Sequence, residues 1–199
     1  QSLHHGAVCI PSARWVAHIE EHPPTAGDTV IHVSARVSHD PDDRVDVQRH
    51  NVEEVRTVAT TLAGLGVHYL FVSTIGANHS ITIGDWPYYQ SKRAAEQVIQ
   101  GIFGSATSTF TASTCTILRL PMLMGPPSAT TATGPSAGAV RSNRLLRALW
   151  SNRVPLDMGG TVACMDVRDA AGLLLASARP SERLVVLDGN TGTAKTELL

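Results

Sequence analysis

Cysteine is scarce and scattered. The 199 residues hold three, Cys9, Cys115 and Cys164, and no two share a Cys-x-x-Cys spacing. That excludes the usual zinc motif and a disulfide framework, and it suits a reducing, cytoplasmic setting. An excess of charge of either sign is missing too. Lys and Arg number 16 against 17 Asp and Glu, for a formal charge of −1, so the chain carries no broad electrostatic footprint for nucleic acid. Long apolar runs are absent: the longest, Ala170 to Ala176, is interrupted by Gly172 and falls far below the roughly 20 residues that span a bilayer. No membrane or nucleic-acid partner is expected. The histidines His4, His5, His32, His39, His50, His68 and His79 give no i,i+4 pair beside a carboxylate in a credible helix, so no metal site is expected either. The sequence opens on Gln1, and Gln1 to Val8 lacks a basic-then-apolar signal pattern; this start reads as a fragment boundary or a processing point.

Apolar runs of strand length alternate with stretches of helical periodicity, the pattern of βαβ units and a parallel sheet. The fold class is α/β. Thr29 to Ser34 reads as a buried strand, and Val52, Val55, Val58, Ala59 and Leu62 mark the following helix, closed by Gly64 and Gly66. Val67 to Val72 is nearly continuous in apolar and aromatic residues, as expected when helices cover both faces of a sheet. Asp85 is a plausible N-cap for a helix with Pro87 in its first turn and a buried stripe of Ala94, Ala95, Val98, Ile99 and Ile102. Cys115 to Leu120 gives a further strand, Leu145 to Trp150 a helix, and Asp166 caps a helix through Val167 to Leu175. Arg183 to Leu187 gives a last strand. Gly104 to Thr114 and Pro126 to Gly138, rich in Ser, Thr, Ala and Gly, read as loops. No internal repeat and no second core are visible, and the length suits about one domain.

The most telling string is Tyr88-Tyr89-Gln90-Ser91-Lys92. Residues four apart share a helix face, so the polar ends of Tyr88 and Lys92 can meet. A tyrosine phenol has a reference pKa near ~10, too high for a base at neutral pH, and a nearby ammonium favours the phenolate. The spacing alone equally suits a packed Tyr88 and a Lys92 that pairs with Glu96 on a solvated face. Thr74 and Ser73 equally suit a turn or cap, and Asn51 a cap for the helix it precedes.

Order along the chain adds to spacing. Thr29 to Ala35 is a strand ending in two small residues with Asp28 before it, and Asn51-Val52 opens a helix. Phe71-Val72-Ser73-Thr74 ends the next strand, and Ile75-Gly76-Ala77-Asn78 and Ser80 lead on to Tyr88 through Lys92, with Ser91 and Glu96. Leu118-Arg119 runs to Gly125-Pro126, and Val167-Arg168-Asp169-Ala170-Ala171 follows late in the chain. With these motifs, spread over Gly6 to Gly189, the chain resembles the extended or atypical short-chain dehydrogenase/reductase superfamily, the NAD-dependent epimerase/dehydratase-like proteins.

The resemblance implies a Rossmann-like parallel sheet with helices on both faces, in a single partial domain over 1–199. A small substrate-binding portion would run over 126–199. It implies NAD or NADP as cofactor, a small-molecule substrate, and pairing into a homodimer through helices including the tyrosine-bearing one. Tyr88 would be the general acid/base, Lys92 and Thr74 its catalytic partners, and Ser34, Ala35, Asn51, Ser73, Tyr88, Lys92, Leu120 and Pro121 would border the cofactor. The family's glycine-rich turn for the pyrophosphate is not found in this sequence. Gly6 already resembles the third strand, so the first βαβ portion is missing from the chain given, which would leave a sheet edge exposed. Ala7 and Ile10 stand where acidic residues near an adenine are usual, and Met122 stands where sugar-nucleotide enzymes often carry Asn. A module that keeps the fold without the chemistry and an inactive truncated product remain as alternatives to an enzyme.

Overall fold

Strand β3 (His68–Thr74) forms the spine of the domain. Tyr69 and Phe71 point into one core and Leu70 and Val72 into another, the two-residue alternation of a strand covered on both faces. The computed structural model describes residues 8–11, 14–38, 40–78, 86–104, 113–125, 163–178 and 184–188. In chain order the other elements are β1 (Val8–Pro11), α1 (Trp15–Glu21), β2 (Thr29–His32), α2 (Arg44–Gln48), a π-helical segment (Arg49–Glu53) and α3 (Glu54–Leu62). After β3 come a 3-10 turn (Ile75–Ala77), α4 (Pro87–Gly104), β4 (Thr114–Leu120), β5 (Met122–Met124), β6 (Cys164–Asp166), α5 (Val167–Ser177) and β7 (Leu184–Asp188).

Five strands form one parallel sheet in the order β1-β7-β2-β3-β4, and β5 pairs with β6 in a parallel pair beside it. Helices α1, α3 and α4 pack Trp15, Ile19, Val58, Leu62, Ile99 and Phe103 against Tyr69 and Phe71. On the other face α5 brings Val167, Ala170 and Leu174 against Leu70 and Val72. The α/β class and the helices on both faces follow the sequence pattern.

Several expectations are corrected. Strand β7, read in sequence only as a last strand, lies between β1 and β2 and pairs with both in parallel. A short apolar run, Leu-Val-Val-Leu, can be hydrogen-bonded on both sides wherever the sheet offers a gap, and periodicity says nothing about which gap it fills. Asn51 is not an N-cap. It lies inside a helical run that continues from Arg44 to Leu62 through the π segment. The buried face of α4 is Tyr88, Ser91, Lys92, Ala95, Glu96, Ile99 and Phe103, while Ala94, Val98 and Ile102 are half-buried. A pattern drawn through apolar residues alone misplaces this face because a lysine and a glutamate belong to it. Asp85 as a cap, the loop over 126–138 and the helix at Leu145 to Trp150 lie outside the described residues, as does most of the loop over 104–114.

Candidate functional site

Because the strands of the main sheet run parallel, their carboxyl ends share one edge, where loops and helix starts converge. Ser34 and Ala35 follow β2, Thr74 ends β3, and Leu120-Pro121 ends β4. Register places Thr74 beside Leu120 and Ser73 beside Arg119. Ala35 and Leu120 are buried, and Ser34, Thr74 and Pro121 are half-buried. The Thr74 hydroxyl accepts from the Gly76 N–H at 3.4 Å and so opens the 3-10 turn.

Helix α4 then brings Tyr88 and Lys92 against this part of the sheet. Tyr88 is buried, 6% exposed, and Lys92 is fully enclosed at 0%. The Lys92 ammonium donates to the Val72 carbonyl at 2.9 Å and sits 4.3 Å from the centroid of the Phe71 ring. Enclosing a cation is costly unless it is paired, so this lysine is no solvated surface residue. The pairing of Lys92 with Glu96 on an exposed face, open from spacing alone, is excluded by burial: Glu96 is 2% exposed and binds elsewhere.

Asn51 ties the loop after β2 to the turn that carries Tyr88. Its Oδ1 accepts from the Arg36 N–H at 2.8 Å, and its Nδ2 donates to the Arg36 carbonyl at 2.9 Å and to Ser91 Oγ at 2.9 Å. Ser91 Oγ in turn donates to the Tyr88 carbonyl at 2.8 Å. A π segment widens the helix locally, a device frequent at functional sites, and here it holds the residue that makes these bonds.

Ser73 is fully buried, and its hydroxyl donates to Glu96 Oε1 at 2.5 Å. Arg119 Nε donates to both carboxylate oxygens at 3.0 and 3.2 Å, and Nη2 to Oε2 at 2.6 Å. This forked pair raises the guanidinium pKa above its ordinary value. In the sequence Glu96 is legible as a surface partner for Lys92 and Arg119 as a motif residue, with nothing to link the two. The signal was an acid four residues after Lys92, on the same helix face.

A Cβ on Gly76 would lie 2.5 Å from Tyr89 Cδ1, so the turn after Thr74 accepts the ring only because it has no side chain there. Tyr89 stacks with Trp86 at 5.5 Å, and burial, followed by the neighbouring Tyr88, raises its pKa. Arg44 donates to Gln90 at 2.7 Å. Asp28, read as the family's acidic residue, accepts from the Thr25 N–H at 2.7 Å at the opposite edge of the sheet. His18 and His22 do stand four apart, with ring centroids 5.0 Å from each other. Among the described residues no group of three or more His, Cys, Asp or Glu could hold a metal ion, and no helix is long and apolar enough to cross a membrane.

No family model matches the chain, and no curated protein matches its sequence. Solved structures do. Pal from Bacillus thuringiensis superposes with a TM-score of 0.60 at 18% identity, over 89% of this chain and 59% of that one. MoeE5 in complex with UDP-glucose and NAD gives 0.54 at 20%, over 80% of this chain and 55% of that one. A short-chain dehydrogenase/reductase superfamily protein from Agrobacterium tumefaciens with bound NAD gives 0.50 at 20%, over 80% and 59%. The chain therefore spans between 55% and 59% of the length of these three. At such identities the likeness is one of architecture, and the architecture this chain has is the Rossmann-like fold found in the extended short-chain dehydrogenase/reductase proteins.

Proposed function

We propose that the chain serves an NAD(P)-dependent oxidoreductase or epimerase/dehydratase-like activity that moves hydride at a carbinol or carbonyl carbon of a small molecule. The observation that carries this reading is the enclosed ammonium of Lys92, one helical turn after Tyr88 at the carboxyl edge of a parallel sheet. A cation in so dry a place stabilises a phenolate more than it would in water. Tyr88 would take or give the hydroxyl proton, Lys92 would supply the positive charge beside it, and Thr74 would orient the substrate oxygen. When bound, the nicotinamide supplies the hydride donor or acceptor.

The residues at this sheet edge are those that would hold the nicotinamide end of such a cofactor. In this reading Tyr88 and Lys92 would border it from α4, Ser34 and Ala35 from the segment after β2, and Leu120 and Pro121 from the end of β4, while Asn51 holds the loop after β2 to α4. Ser73 gives its hydroxyl to Glu96, so its contribution would be positional. The structural neighbours MoeE5 and the Agrobacterium protein were solved with NAD, which makes NAD the first cofactor to test. Replacing Tyr88 with Phe is expected to abolish turnover of NAD(P)H with carbonyl compounds while leaving cofactor affinity within about threefold. Turnover equal to the wild type would defeat the assignment. A homodimer through α4 follows by family analogy, and sedimentation tests it.

A second reading has its own support. Among the described residues the glycines with positive φ are Gly27 and Gly66. They lie at the amino ends of β2 and β3, across the sheet from the site, so the described residues supply no glycine turn for a pyrophosphate. A binding module without chemistry would bind the dinucleotide, or fail to, with no turnover by any carbonyl compound. Turnover of NAD(P)H with a panel of carbonyl compounds separates the two readings, and isothermal titration with NAD and NADP shows whether a chain without turnover still binds.

A further inference from the structure

We infer that Arg93 is a positioning residue for Thr74: it fastens the turn after β3 to α4, so that the Thr74 hydroxyl and the Tyr88 phenol are held at one spacing. The inference rests on the reading in which both groups face the same substrate oxygen. Thr74 ends β3 and Tyr88 lies in the first turn of α4, so nothing local in the sequence sets the distance between them. Two consecutive residues of α4 grip the chain on either side of Thr74. Before it, Lys92 donates to the Val72 carbonyl at 2.9 Å. After it, Arg93 donates from Nε to the Ala77 carbonyl at 3.2 Å and from Nη2 to the Asn78 carbonyl at 2.8 Å. A guanidinium is a planar fork that stays charged, so one side chain fixes two successive carbonyls relative to each other and to the helix. Bonds from a charged donor are also the stronger class.

The turn between these grips is short and packed. Gly76 and Ala77 are buried, the Tyr89 ring lies against Gly76, and the Asn78 N–H donates to the Ile75 carbonyl at 3.1 Å. Thr74 is held more lightly than its neighbour. Ser73 gives its hydroxyl to Glu96, whereas Thr74 Oγ accepts from the Gly76 N–H at 3.4 Å, longer than the usual range. Accepting does not use the hydroxyl proton, so Thr74 keeps a donor to offer a substrate oxygen. The direction of that donor depends on where the Gly76 amide stands, and Tyr89 and Arg93 hold the turn that carries it. With Nε and Nη2 engaged on backbone carbonyls, Arg93 acts by placing Thr74.

The test is a double-mutant cycle on turnover, joined to amide exchange, which needs no substrate. Oxidation of NADH and NADPH is followed with a panel of aldehydes and ketones. Arg93→Ala should lower kcat by about 10- to 100-fold, the effect of displacing a reacting group by about 1 Å. In a Thr74→Val background, which keeps the shape and lacks the hydroxyl, the same change should lower the remaining kcat by less than about twofold. A merely structural role would cut both backgrounds alike. Arg93→Lys keeps the charge without the fork, and should fall between the wild type and Arg93→Ala should the alanine protein fold poorly. In Arg93→Ala the Gly76 and Asn78 amides should exchange about tenfold faster, with those of α3 unchanged. Equal losses of kcat in the two backgrounds, wild-type turnover in Arg93→Ala, or unchanged exchange at both amides overturns the inference. If the wild type turns over no compound of the panel, the enzymatic reading fails; faster exchange at Gly76 and Asn78 then still supports the hold of Arg93 on the turn, and unchanged exchange overturns it.

Discussion

Alanine at Gly76 would place a methyl carbon 2.5, 2.6 and 3.0 Å from Tyr89 Cδ1, Cε1 and Cγ. Carbon atoms rest at about 3.5–4.0 Å, so the ring would have to retreat by about 1 Å. It is stacked with Trp86 at 5.5 Å, which resists the movement. The backbone at Gly76 is outside the positive-φ region, so the penalty is steric and resembles overpacking, about 1–3 kcal/mol. Against it stands a gain of about 0.4–1 kcal/mol from restricting the unfolded chain. Gly76→Ala should therefore lose about 1–2 kcal/mol in urea unfolding, with an unchanged slope. In a Tyr89→Ala background the obstacle is gone, and the same change should be neutral or stabilising by up to about 1 kcal/mol. The double-mutant cycle should give a coupling of about 1–3 kcal/mol. A coupling near zero, or a wild-type-like midpoint for Gly76→Ala, would refute the close approach of the turn to the Tyr89 ring.

Asn51→Ala strands the Arg36 N–H and C=O and removes a bond to Ser91; a loss of about 2–4 kcal/mol is expected, with faster hydrogen exchange at the Arg36 amide. A stability equal to that of the wild type would show that the π segment is held by other contacts. Asp166 accepts from the Arg168 side chain and backbone, which bring its pKa down from 3.8 to about 2. Because the folded value lies below the unfolded one, its contribution to α5 is complete above about pH 3.8 and is lost as pH falls through about 2. Exchange at the Arg168 amide should quicken across that window in the wild type, and an equal acid response in Asp166→Asn would count against the cap.

The legible part of this chain was whatever depends on near neighbours in sequence. The strand at β3 was visible because an uninterrupted apolar run of that length has few other uses, and the Asp166 cap because a cap and its helix are adjacent. Tyr88 and Lys92 on one helix face follow from 3.6 residues per turn. Less legible was the burial of Lys92 and Glu96. A periodic pattern is drawn through apolar residues, and a charged residue joins the buried face only when a distant partner meets it there. Those partners, the Val72 carbonyl and Arg119, lie 20 residues before Lys92 and 23 after Glu96 respectively. The alternative of Asn51 as a cap fails for a related reason: its partners are the backbone of Arg36 and the hydroxyl of Ser91, and neither is a helix-end amide.

By itself the sequence determined the α/β class, the approximate extent of the central elements and the Tyr-Lys spacing, because each is fixed by local periodicity and residue type. The tertiary structure alone decided that β7 lies between β1 and β2, that the Lys92 ammonium is shut away against Val72 and Phe71, and that the buried Ser73 and Glu96 meet each other and the more exposed Arg119. Parallel pairing joins strands that are far apart in the chain. Only the completed sheet therefore specifies which carbonyl, hydroxyl or guanidinium waits opposite each polar residue of α4.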